Sequence, residues 1–150
     1  MMSNALQLLA DRLHKAEDRA ASVLAQARQD QVLFERQLEA LNQYRQNYST
    51  QMGELGATGL TGSQFRHYQS FINKLDHASK QQLEGLGQVR AVTEKRRKEW
   101  LELQQQRKAL ETLLVRKAEK EALRLLRQEQ KLLDEFATFR HFHRQNESQD

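Results

Sequence analysis

Residues 52–63 read M-G-E-L-G-A-T-G-L-T-G-S and hold four of the chain's six glycines, Gly53, Gly56, Gly59 and Gly62. Each glycine costs a helix interior about 1 kcal/mol relative to alanine, because it has the most backbone freedom to lose. There is no proline. The stretches on either side are long, polar and helical in period. This pattern predicts two helices folded about one turn: helix 1 over about 3–52, a turn over 53–62, helix 2 over about 63–143, and a frayed tail over 144–150. The expected fold class is all-α, a long antiparallel two-helix coiled-coil hairpin within a single domain, 1–150.

The periodicity carries that expectation. In the first helix one column repeats every seven residues: Leu6, Leu13, Ala20, Ala27, Phe34, Leu41, Tyr48. A second column lies three residues further on at first (Leu9, Ala16, Val23) and four further on later (Leu24, Leu38, Met52). Sustained spacing of three and four is the coiled-coil signal. Asp30 and Gln31 interrupt it. Thr61 and Gln64 fit a capping box at the start of the second helix. Its column runs Phe65, Tyr68, Ile72, Leu75, Ser79, Leu83/Leu86, Val89, Thr93, Arg96, Trp100, Leu103, Arg107, Leu110, Leu114.

Helices joined by a short turn pack antiparallel. Counting back from the turn sets Leu41 opposite Leu75, Tyr48 opposite Tyr68 and Gln37 opposite about Ser79. Asp30 and Gln31 fall level with Gly85–Leu86–Gly87, which predicts a loose point there. The same count exhausts the N-terminus near residue 115. Roughly 28 residues of the second helix, about 40 Å, then have no intrachain partner. That overhang keeps an apolar stripe ending in Phe136, Phe139 and Phe142. An amphipathic helix with an exposed stripe implies a partner.

Composition narrows the function classes. Hydrophobic content is 38% and charged content 29%, too polar for a thick core. Cysteine is absent, which excludes disulfide and thiol chemistry. No run approaches the ~20 apolar residues of a membrane span. The N-terminus lacks a basic segment and a small-residue cleavage site, so no signal peptide is expected. No phosphate-binding, dinucleotide-binding or serine-nucleophile motif occurs, and a two-helix hairpin offers no pocket to exclude water. No enzyme activity and no cofactor are expected. His141 and His143 lie about 200° apart on a helix, so no metal site is expected.

Net charge is +4, placed unevenly. Residues 90–131 hold 13 Lys/Arg against 7 Asp/Glu, for +6. Phosphate contacts are one use of such a stretch. The plainer use is a solvated helix face with ion pairs such as Glu94/Lys98 and Lys117/Glu121. No nucleic-acid partner is expected. Near the turn, Gln37/Tyr44 and Phe71/Ala78 flank Leu41/Tyr48 and Ile72/Leu75. Large aromatics beside a column either thicken it or form a binding surface. Period alone does not separate the two.

Taken in order, Tyr44/Tyr48, the Y-Q-x-F-I-x-x-L-x-x-A run at Tyr68–Ala78, W-x6-R-x-x-L-E-x-L at Trp100–Leu113, and D-E-F-A at Asp134–Ala137 resemble the flagellar type III export protein family FliJ over nearly the whole chain. The resemblance implies a fold similar to the coiled-coil part of the γ subunit of F-type rotary ATPases. It implies a non-catalytic stalk or coupler of the bacterial flagellar export apparatus, needed for motility, that lies in the cytoplasm, peripheral at the inner membrane through its partners. The implied partners are the flagellar export ATPase and its regulator, the cytoplasmic domain of the membrane export gate, and export chaperones that the protein escorts. The family's gate-contacting surface maps onto Gln37, Leu41, Tyr44, Tyr48, Phe71, Leu75 and Ala78. Its last position, a His in at least some members, is Gln82 here. The γ-subunit analogy assigns Leu125, Leu132, Phe136 and Phe139 to the ATPase ring. The alternatives are the homologous stalk protein of a virulence-type injectisome and a self-associating structural coiled coil.

Overall fold

The computed structural model describes residues 2–148. It holds two helices, α1 (Met2–Thr58) and α2 (Gly62–Ser148). They pack against each other as a hairpin. The chain divides into two compact units, Lys15–Gln104, and Met1–His14 with Gln105–Asp150.

The turn is shorter than the glycines suggest. α1 runs through Gly53 and Gly56 and stops only at Thr58, beyond the expected end near residue 52. Gly59 has φ +104°, the left-handed conformation that terminates a helix and favours glycine. The other three meet no backbone demand of this kind, so continued helix hydrogen bonding outweighs about 1 kcal/mol each. Thr61 then caps α2. Its Oγ1 accepts from the Gln64 N–H at 3.2 Å, and the Gln64 side chain accepts from the Thr61 N–H at 3.1 Å. At the far end, residues 144–148 are helical rather than frayed. The Ser148 hydroxyl donates to the Gln145 carbonyl at 3.0 Å. Residues 149–150 of the expected tail lie outside the described residues.

In the unit Lys15–Gln104, the buried apolar side chains are Leu24, Ala27, Ile72, Leu75 and Leu86. From Glu17 to Leu38 the second α1 column lies four residues on: Glu17, Leu24, Gln31 and Leu38 face inward, while Val23 is 45% exposed. The mixed column expected from sequence is corrected accordingly. On α2, Leu86 is 2% exposed and Leu83 55%, so Leu86 and the half-buried Gln82 hold the interface. Phe65, expected in the same column, is exposed.

The register differs by about one turn, ~3–4 residues, from the count made from the turn. Gln37 meets Gln82 rather than Ser79, and the ring nearest Tyr48 is Phe71 rather than Tyr68. The cause is the extension of α1 to Thr58, which moves the centre of the turn. Phe34 therefore lies at Gly85, where a Cβ would sit 2.6 Å from its Cε1. The expected loose point is a place of close approach, with glycine leaving room for an aromatic ring. Asp30, expected level with it, is exposed and accepts from Gln26 on its own helix.

Polar groups within the interface select this register. The Gln82 amide donates to the Phe34 carbonyl at 3.2 Å and to the Gln37 side chain at 2.8 Å. The Thr93 hydroxyl lies 2.8 Å from the Val89 carbonyl on its own helix and 3.3 Å from the Ala27 carbonyl across the interface. Arg45 pairs with Asp76, and Arg90 reaches Glu35 at 3.5 Å. A shift of one turn separates the Gln82 amide from Phe34 and Gln37, whereas Thr93 keeps the Val89 carbonyl at 2.8 Å and the exposed ion pairs pass to water. Polar positions at the helix interface, such as the half-buried Gln82, trade stability for specificity in coiled coils.

In the unit Met1–His14 with Gln105–Asp150, Ala10 and Leu110 are buried. The His14 imidazole meets the Glu111 carboxylate at 2.8 Å, and the other Glu111 oxygen accepts from Arg107 at 3.0 Å. From residue 115 to 148 every residue of α2 is exposed.

Candidate functional surfaces

The first surface lies in the unit Lys15–Gln104. α1 supplies Gln37, Leu41, Tyr44 and Tyr48; α2 supplies Phe71, Leu75 and Ala78. The helical period decides how far each emerges. Leu75 is buried, and Leu41, Tyr48, Phe71 and Ala78 are half-buried. Gln37 is exposed, and Tyr44 is 59% exposed. Tyr48 packs on Phe71 with ring centroids 4.3 Å apart and an interplanar angle of 33°. It meets Tyr68 at 6.0 Å and 57°. These rings act first as packing, an offset arrangement worth about 0.5–1.5 kcal/mol beyond buried area.

The two readings of the aromatics thus divide between residues. Phe71 thickens the helix interface, because it rests on Tyr48. Tyr44 does not, since most of its ring is open to solvent. The half-buried Gln82 ties Gln37 to α2 through its amide. Counting from the turn sets Ser79 opposite Gln37, and the shift in register puts Gln82 there instead.

The second surface is α2 over residues 115–148. Leu125, Leu132, Phe136 and Phe139 are 52–65% exposed. Leu123, Leu126, Leu133 and Phe142 are exposed beside them and widen the stripe. Ala118, Ala122, Leu125, Leu132, Phe136 and Phe139 keep spacings of three, four and seven, as a coiled-coil face does. Some aromatic edges are covered locally. Arg140 lies 5.8 Å over the Phe136 ring, and His143 stacks on Phe139 at 6.0 Å.

Charges on α2 settle differently from the sequence expectation. Glu94 pairs with Arg97 rather than Lys98, and Glu121 pairs with Arg124 rather than Lys117. Each carboxylate accepts hydrogen bonds from the guanidinium three residues on, at 2.6–3.3 Å. A planar guanidinium donates two bonds at once where an ammonium presents one point charge. Those bonds hold the Glu94 and Glu121 carboxyls below their ordinary range and raise the two arginines.

The surface concavities are open grooves, several of them lined by short runs of a single helix, such as residues 28–36 and 131–142. Among the described residues no helix is long and apolar enough to cross a membrane.

The sequence profile described as "Flagellar FliJ protein" matches residues 2–146. The chain is 34% identical over 137 residues to the flagellar FliJ protein of Salmonella typhi, covering 89% of this chain and 90% of that one. It is 31% identical over 133 residues to the flagellar FliJ protein of Escherichia coli K12, again covering 89% and 90%. No solved structure matches it. The match runs through both helices and both surfaces, and on it the chain belongs to the flagellar FliJ family.

Proposed function

We propose that this protein is a non-catalytic component of the flagellar protein export apparatus, a coupler that meets its partners through two separate surfaces. The observation that carries this reading is the exposed apolar stripe of residues 115–148 in a chain of the flagellar FliJ family. A helix that exposes five leucines and three phenylalanines over these residues is incomplete without a partner.

In this reading Leu125, Leu132, Phe136 and Phe139 enter the ring of the export ATPase. Gln37, Leu41, Tyr44, Tyr48, Phe71, Leu75 and Ala78 meet the cytoplasmic domain of the export gate, with Tyr44 as the exposed aromatic anchor. Export chaperones and the ATPase regulator are further partners, and membrane association is peripheral and runs through them. The protein's part is mechanical. An asymmetric helix contacts ring subunits unequally and biases assembly or turnover of the ATPase.

The test is co-purification with the export ATPase from the same organism, followed by ATP hydrolysis with and without the full-length chain. The reading expects a complex and faster hydrolysis. No complex, together with a stable dimer of the chain in sedimentation, overturns it in favour of a self-associating coiled coil.

A further inference from the structure

The exposed part of α2 has a second face. Lys117, Lys120, Arg124, Arg127 and Lys131 follow one another at spacings of three and four, so they form one stripe. It is about 21 Å long at 1.5 Å per residue. On a helix wheel its centre lies about 100° from that of Leu125, Leu132 and Phe139, and Leu123 lines the groove beside the cations. Of its five cations only Arg124 has a carboxylate partner, Glu121. Among the described residues Lys117, Lys120, Arg127 and Lys131 have none.

Two faces, one apolar and one basic, stand without partners on the same turns. A single partner helix covers roughly one stripe of a helix. The partner therefore reaches this segment from more than one side.

We propose that the stripe Lys117/Lys120/Arg124/Arg127/Lys131 docks on a row of acidic side chains of the protein that receives the apolar stripe. This rests on the proposed reading that residues 115–148 enter the export ATPase. The chemistry favours a protein over a phosphate polyanion or a lipid surface. Glu121 lies among the cations, bonded to Arg124, where dense phosphate would repel it. Glu129 lies in the apolar column between Ala122 and Phe136, and a bilayer would have to bury it. An acidic protein surface of mixed composition accepts both. Rim charges of this kind act on association rate, specificity and salt dependence.

The experiment titrates the purified export ATPase with three forms of the full-length chain: unaltered, Lys120→Glu/Arg127→Glu, and Leu132→Ser/Phe136→Ser. Binding is read at low and high salt, and helicity confirms that each form folds. The proposal expects the charge reversal to weaken binding roughly tenfold at low salt and to flatten the salt dependence. Unchanged affinity and salt dependence in that form, with binding lost in the apolar variant, overturns the acidic contact and leaves the ATPase reading standing. Full binding by both variants overturns both. Phosphatidylglycerol vesicles and duplex DNA serve as further probes. Capture of the unaltered chain by either, lost on charge reversal while ATPase binding is kept, also overturns the proposal.

Discussion

Leu86 and Leu132 each stand on a column of seven-residue spacing in the same helix, yet Leu86 is 2% exposed and Leu132 62%. The first packs against α1 within the unit Lys15–Gln104. The second belongs to residues 115–148, which none of the described residues covers. Periodicity states that a helix face is built for a partner. It does not state whether that partner is another part of the chain or another molecule. Length decides, because α1 is too short to pair with all of α2.

The largest effect that could break this comparison is a core truncation. Leu86→Ala should cost about 2–5 kcal/mol, read by denaturant unfolding, while Leu132→Ala should change stability by less than about 0.5 kcal/mol. Equal costs at the two sites would mean that residues 115–148 have a partner in solution, such as a second copy. Next comes binding. Tyr44→Ala should leave unfolding nearly unchanged and weaken capture of the export gate by about 2 kcal/mol, the scale of an aromatic hot spot. Phe71→Ala should destabilise the hairpin through loss of the Tyr48 contact, so it is the poorer probe of binding. If Tyr44→Ala unfolds the hairpin, its ring is core and the surface reading fails.

A smaller effect sharpens the comparison within α2. Gly85→Ala forces Phe34 to move, and overpacking of about 1–3 kcal/mol outweighs the gain of about 1 kcal/mol in helix propensity. At Gly87 nothing lies within 4 Å of an added Cβ. Gly87→Ala should therefore stabilise by about 0.4–1 kcal/mol. A pair of thermal melts checks the opposite signs.

The smallest effect is electrostatic. The Glu94 carboxyl is held low chiefly by its hydrogen bonds from Arg97, and Glu121 likewise by Arg124. A depressed carboxyl adds stability above its unfolded pKa, and that stability is lost as pH falls through the folded value. Melting of Arg97→Ala should fall slightly below that of the unaltered chain at neutral pH, and the difference should vanish in acid. A difference that persisted in acid would assign Arg97 a packing role instead.

Much of this was legible in the residues themselves. The seven-residue column from Leu6 to Tyr48, the glycine cluster and the T-x-x-Q cap specify two helices and a turn, because helix period and capping are local properties. The overhang followed from the turn lying one third of the way along. Register did not follow. Which glycine ends α1 depends on the single backbone angle at Gly59, and that choice moves every facing pair by about one turn, ~3–4 residues. The choice between Leu83 and Leu86, the exposure of Val23 and the pairing of Gln82 with Gln37 all depend on the facing helix. The same holds for the candidate sites. Sequence alone determined that this chain forms long amphipathic helices with more apolar face than one hairpin can cover. Tertiary structure decided that Phe71 belongs to the packing, Tyr44 to the surface and residues 115–148 to neither helix's cover, because burial is a property of pairs and not of residues.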